Sequence, residues 1–145
     1  MVHVPYKGAG PAMTELMAGQ VSVVFNNPLG SVGYVRSGRL RPLAVSGPRR
    51  LAALPEVPTV AESGLPGFSA TFFLGLMGPA GLPREIVNRL NGDVLRALQR
   101  RDVQEWMATQ GMDPLGGSPE DFAARVRADI ETMAKVMRDA GVRLN

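Results

Sequence analysis

The chain contains no cysteine, which excludes disulfides, thiolate metal sites and cysteine nucleophiles. Its single histidine, His3, excludes a histidine-based metal cluster and leaves a Ser-His-Asp triad only one possible ring. His3 lies in an apolar segment before a proline, where a structural or surface role is expected rather than that of a general base. No serine sits in a Gly-x-Ser-x-Gly elbow, and the carboxylates fall mostly on expected helix exteriors. No catalytic residue, metal or cofactor is therefore expected. The uncharged stretch 65–83 is interrupted by glycine and proline, so it does not read as a membrane span. The start of the chain shows no basic leader followed by an apolar segment, and no signal peptide is expected.

Acids are scarce in the first half. Residues 1–70 hold six bases and three acids, whereas residues 71–145 hold ten of each, so the net charge of +3 arises entirely from the first half. Arginine outnumbers lysine fourteen to two, and no basic run exceeds two residues. Nucleic acid would call for a denser basic stripe with interleaved aromatics, and is not expected as a partner. A small anionic ligand fits a modest local excess better.

The composition is that of an ordinary globular chain: 145 residues, 45% hydrophobic and 20% charged. In the first part, short strands are expected at 2–6, 21–25 and 40–46. Helices are expected between them, at 11–18 (opened by Pro11 and ended by Gly19) and 31–37 (ended by Gly38). Strands alternating with helices predict an α/β layer with a mostly parallel short sheet. A Pro-rich segment, 47–67, follows; within it Thr59-Val60-Ala61-Glu62 matches a capping box. Residues 69–77 form the longest strand candidate. Helices are expected at 83–101, 102–110 and 118–140, the last opened by Ser118-Pro119. Their apolar stripes are Ile86/Leu90/Val94/Leu98 and Phe122/Val126/Ile130/Met133/Met137.

The segment Lys7-Gly8-Ala9-Gly10-Pro11 is the most informative for binding. It joins a strand end to a helix start, where free amides and the positive helix end favour an anion. Lys7 adds a full charge, and the glycines allow close approach. The segment lacks the Gly-Lys-Ser/Thr of a phosphate loop, and Met13 stands where a dinucleotide fingerprint has its last glycine. A plain strand-to-helix turn remains the alternative. Asn26 and Asn27 follow the second strand at the sheet edge where α/β proteins bind ligands, and Asn-Pro is equally ordinary turn chemistry. Phe72 and Phe73 are expected in core packing, and Arg36, Arg39 and Arg41 on a solvated face.

Taken together, several segments resemble one family. They are His3-Val4-Pro5-Tyr6-Lys7-Gly8-Ala9-Gly10-Pro11-Ala12, Gly19-Gln20-Val21 with Val24-Phe25, and Gly38-Arg39-Leu40-Arg41-Pro42-Leu43-Ala44-Val45-Ser46. Leu54-Pro55-Glu56-Val57-Pro58-Thr59-Val60-Ala61-Glu62 and its continuation to Phe68 add to these, as does the stretch from Gly75 to Pro83. The family is the Bug/TctC group, the extracytoplasmic solute receptors of tripartite tricarboxylate transporters, and the resemblance runs from His3 to the C-terminus.

The resemblance implies part of a type II periplasmic-binding-protein fold, two α/β lobes closing on a ligand. Residues 2–68 would be the latter part of the second lobe, 69–78 the crossover strand, and 79–145 the C-terminal helical part completing the first lobe. It also implies a periplasmic location, a small carboxylate as ligand and the transporter's membrane subunits as partners. The implied ligand contacts are Tyr6, Lys7, Gly8, Ala9, Gly10, Asn26, Asn27 and Phe73. The family commonly has Asp where Ser22 and Asn26 stand here; losing an acid at Asn26 favours a plain carboxylate over an amino acid. The alternative is a non-catalytic interaction module without ligand binding. Because the implied part is only about the C-terminal half of a receptor, its helix stripes lack their usual cover, and a homodimer is expected.

Overall fold

The computed structural model describes residues 2–141. It contains five α-helices, α1 Ala9–Met17, α2 Val32–Arg36, α3 Arg84–Leu98, α4 Arg101–Thr109 and α5 Pro119–Asp139, with a 3-10 turn at Pro28–Gly30. The chain divides into two compact units. The first holds the residues up to Leu76 together with Arg101–Pro114, and the second holds Met77–Arg100 with the residues from Leu115 onward.

In the first unit, α1 begins two residues before the proline expected to open it. Pro11 takes the third helical position, still within the first turn, where its missing N–H breaks no intrahelical bond. Three helices end in the same way. After α1, the Gln20 and Gly19 amides donate to the Glu15 and Leu16 carbonyls. After α2, Arg39 and Gly38 donate to Tyr34 and Val35, and after α4, Met112 and Gly111 donate to Met107 and Ala108. This paired reversal satisfies otherwise orphaned carbonyls through a left-handed glycine. A small core forms where α2 meets the Pro-rich segment: Val32, Leu54 and Val57 are buried, with Val35, Val45, Leu51 and Ala53 packed around them.

The sheet expectation requires correction for this chain by itself. Among the described residues no strand forms at 2–6, 21–25, 40–46 or 69–77; these segments run without regular pairing. A single parallel bridge joins Val45 to Thr59, with the Val45 amide donating to the Pro58 carbonyl at 2.8 Å and the Val60 amide to the Val45 carbonyl at 2.9 Å. The Ala70 amide donates to the Ser46 carbonyl at 2.8 Å. Strand character in residues such as Val21 to Phe25 yields a ladder only when a neighbouring strand supplies the opposite groups. Phe25 is 85% exposed, so no such neighbour covers it here.

The capping box at Thr59 forms, with the Glu62 amide on Thr59 Oγ1 at 3.1 Å and the Thr59 amide on Glu62 Oε2 at 2.7 Å. It closes a turn and no helix, because Gly64 (φ 115°), Pro66 and Gly67 follow within one further turn.

In the second unit, α5 starts as expected. Ser118 Oγ accepts from the Asp121 amide and Asp121 Oδ2 accepts from the Ser118 amide, both at 3.1 Å, with Pro119 at the first position. Helices α3 and α5 pack together, and Asn91 Nδ2 donates to the Gly117 carbonyl at 3.0 Å. The α3 face turned inward is Val87, Leu95 and Leu98, all half-buried. The Ile86/Leu90/Val94 row beside it stays between 40 and 45% exposed, and on α5 Ile130, Met133 and Val136 are 50% exposed or more.

Two predictions follow from these devices. Gly19 and Gly111 both have φ in the left-handed region, but a Cβ at Gly19 meets nothing within 4 Å, whereas one at Gly111 lies 3.0 Å from Pro28 Cβ and 3.5 Å from Leu51 and Val32. Gly19→Ala is expected to cost about 1–2 kcal/mol of stability from backbone strain alone. Gly111→Ala should cost more, read as a larger drop in the urea midpoint. The second prediction concerns acid. The Thr59 amide, then the Arg50 side chain, hold Glu62 below its ordinary pKa, and the Ser118 hydroxyl and amide do the same for Asp121. The unfolded chain therefore binds more protons at mildly acid pH, so this stability is complete above the ordinary carboxylate range and is lost as pH falls through it. The melting midpoint should hold from pH 7 to about 5 and fall below about pH 4. Glu62→Gln should melt lower at pH 7 and show a shallower acid decline.

Candidate functional site

The candidate site lies within the first unit, along one face of α1. Gly8, at φ 113°, caps the helix with no side-chain partner, which leaves the first-turn amides open. Lys7 beside it is exposed, and Tyr6 is half-buried. Gly10, Met13, Thr14 and Met17, spaced as successive turns of one helix face, form one wall of an open groove of about 780 Å³. Gly30, Gly33, Tyr34 and Ser37, with the same spacing, form the opposite wall, and Asn26, Leu29, Arg39 and Gln110 complete it.

Of the residues expected to hold ligand, Ala9, Gly10 and Asn26 share this groove; Tyr6, Lys7, Gly8, Asn27 and Phe73 do not line it. The two asparagines have local duties. Asn27 Oδ1 accepts from the Gly30 amide at 3.0 Å, capping the 3-10 turn, while Asn26 Nδ2 donates to Ser31 Oγ, also at 3.0 Å. Ser31 Oγ in turn donates to the Asn27 carbonyl. The turn chemistry of Asn-Pro is thus realised, and Asn26 also lines the groove. Phe73 is half-buried in the 69–77 segment, while Phe72 is 51% exposed, so the core role expected for Phe72 is not met in this chain.

Sequence reasoning missed Tyr34 and Arg39. Arg39 is exposed, as expected of a solvated face, and its guanidinium carbon lies 5.4 Å from the Tyr34 ring centroid. The backbone causes this. With Gly38 at φ 71°, the Arg39 amide returns to the Tyr34 carbonyl at 2.9 Å, which sets the two side chains against each other. The signal was present in Gly38, which was read only as a helix stop.

The sequence profile described as "Tripartite tricarboxylate transporter family receptor" (TctC) matches residues 1–142. BugT of Bordetella pertussis is 36% identical over 141 residues, covering 97% of this chain and 43% of that protein. The structure titled "R. palustris Rpa4515 with adipate" superposes with a TM-score of 0.90 at 36% identity, covering 95% of this chain and 46% of that one. The periplasmic binding protein BugD superposes with a TM-score of 0.89 at 31% identity, over 97% of this chain and 48% of that one. The chain thus spans less than half the length of the curated relatives it matches first. The chain superposes on both neighbours over nearly all of its own length. This chain belongs to the TctC family of tripartite tricarboxylate transporter receptors.

Proposed function

We propose that this chain is part of a periplasmic receptor that captures a small carboxylate and presents it to the membrane subunits of a tripartite transporter. The observation that carries this is the start of α1, where Lys7 stands beside a glycine-capped helix end with open amides, in a fold superposing on a relative solved with adipate. Amides at a helix N-terminus and a neighbouring lysine supply charge and donors suited to a carboxylate. On this reading Tyr6, Lys7, Gly8, Ala9 and Gly10 contact the ligand, with Asn26, Asn27 and Phe73 bordering it. The chain is non-catalytic, and its extended segments 2–6, 21–25, 40–46 and 69–77 pair as strands within the larger receptor fold.

A second reading, an interaction module without ligand, draws on the exposed rows of α3 and α5. Apolar patches of this kind seldom stay open on a monomer, and a second copy is proposed to cover them.

Two measurements test these points. Titration calorimetry with adipate, malate and citrate is expected to show binding, and Lys7→Ala should weaken it about tenfold, the low end for a charged hydrogen bond. Heat from none of the acids would remove the receptor reading for this chain; unchanged affinity in Lys7→Ala would remove only that residue. Light scattering at micromolar concentration is expected to give twice the 15.5 kDa chain mass. A cooperative melt at the single-chain mass would overturn the dimer.

A further inference from the structure

We infer that residues 71–77 are a cleavage site for an endoprotease with an apolar primary pocket, and that a cut there nicks the chain without parting it. Such a protease takes its substrate as an added strand, pairing with several residues of extended backbone and lodging one side chain in its pocket. Beyond Ala70, whose amide donates to the Ser46 carbonyl, the segment enters no strand pairing among the described residues. From 69 to 81 every residue except half-buried Phe73 is exposed. Phe72, Leu74 and Leu76 fall on one face of the extended segment at 51, 70 and 68% exposure, each suited to an apolar slot. Phe25 is more exposed, but Val23, Val24, Asn26 and Asn27 around it are half-buried, and both asparagine side chains are hydrogen-bonded. Leu65 is followed by Pro66, which has no amide to pair with a protease.

Hydrolysis of one peptide bond in 71–77 consumes a water molecule and leaves a new carboxylate end and a new amine end. The break falls where the first unit's opening segment finishes, yet that unit is completed by Arg101–Pro114, downstream of the cut. Gly111 sits so close to Pro28, Val32 and Leu51 that a Cβ there would touch all three, and Arg49 Nη2 donates to Asp113 Oδ2 at 2.6 Å. These contacts hold the downstream piece in the upstream one. Strand pairing would hide the same bonds, so the cut marks chains in which 69–77 is unpaired. Ligand capture plays no part in it.

The test is limited digestion of the whole chain with chymotrypsin, whose primary pocket is an apolar slot. The first cut, mapped by mass spectrometry, is expected between Phe72 and Met77. Two pieces should then appear on denaturing electrophoresis, while light scattering without denaturant still gives the mass of the uncut chain. Replacing three exposed side chains together, Phe72→Asp, Leu74→Asp and Leu76→Asp, should slow the first cut roughly tenfold or more, since an apolar slot takes a carboxylate poorly. The melting midpoint of that variant should match the native chain's, which separates lost recognition from lost folding. A first cut after Phe25 or Leu115, an undiminished rate in the triple variant, or pieces that part without denaturant each overturn the inference. So does resistance of the native chain at a protease ratio that digests the urea-unfolded chain.

Discussion

The carboxylate of Glu62 is the tie on which the first unit's closure depends. One oxygen takes the Thr59 amide, and both take the Arg50 Nε–H, at 3.2 and 3.0 Å. Arg50 also reaches the Pro55 carbonyl at 3.1 Å. The segment so gathered carries Pro48, Pro55, Pro58 and Pro66, each lacking an amide, and it cannot hold itself by a backbone ladder. The charge pair is half-exposed, and such pairs contribute little by attraction alone. Its effect is positional: it fixes the turn that buries Thr59, where the Val60 amide holds the Val45 carbonyl, with Val45 packed against the core of Leu54 and Val57. From there the core reaches Val32 on α2, and through α2 the Tyr34 and Arg39 wall of the groove.

Much of this was legible residue by residue. Ser118-Pro119 named the start of α5, Gly19 and Gly38 named the ends of α1 and α2, and the Thr59/Glu62 spacing named a reciprocal cap. These are local devices, decided by neighbours within four positions. The strands were not so decided. The apolar alternation of 21–25 or 69–77 states a capacity to pair, and pairing is fulfilled by a remote segment that the local pattern cannot supply. The stripes of α3 were likewise half legible. Its apolar residues cover more than one row of the helix: Val87 and Leu95 are half-buried, while Ile86, Leu90 and Val94 stay exposed.

The site divided along the same line. Glycine spacing and Lys7 pointed to the start of α1, a feature contained within five residues. The opposite wall of the groove is made by residues whose importance comes from placement. Tyr34 and Arg39 are unremarkable in type, and only the backbone reversal at Gly38 brings the guanidinium over the ring. Asn26 lines the groove and Asn27 does not, and the amide groups of both are occupied in holding the 3-10 turn and Ser31. That occupancy orients Asn26 and limits the donors it can offer to a ligand.

The two units are interleaved along the chain, which leaves the first unit after Leu76, re-enters it at Arg101 and leaves again after Pro114. As a polypeptide emerging from the ribosome, the first unit cannot be completed when its first 76 residues are out. It waits for α3 to be made and passed over, until α4 delivers Gly111 to Pro28 and Leu51, and Asp113 to Arg49 across 64 residues. Closing so long a loop is entropically costly and slow, so the nascent chain holds an unfinished core during synthesis of the intervening segment. Pro28, Val32 and Leu51 lack Gly111 beside them in that interval, and a break between α3 and α4 would separate pieces of a single unit.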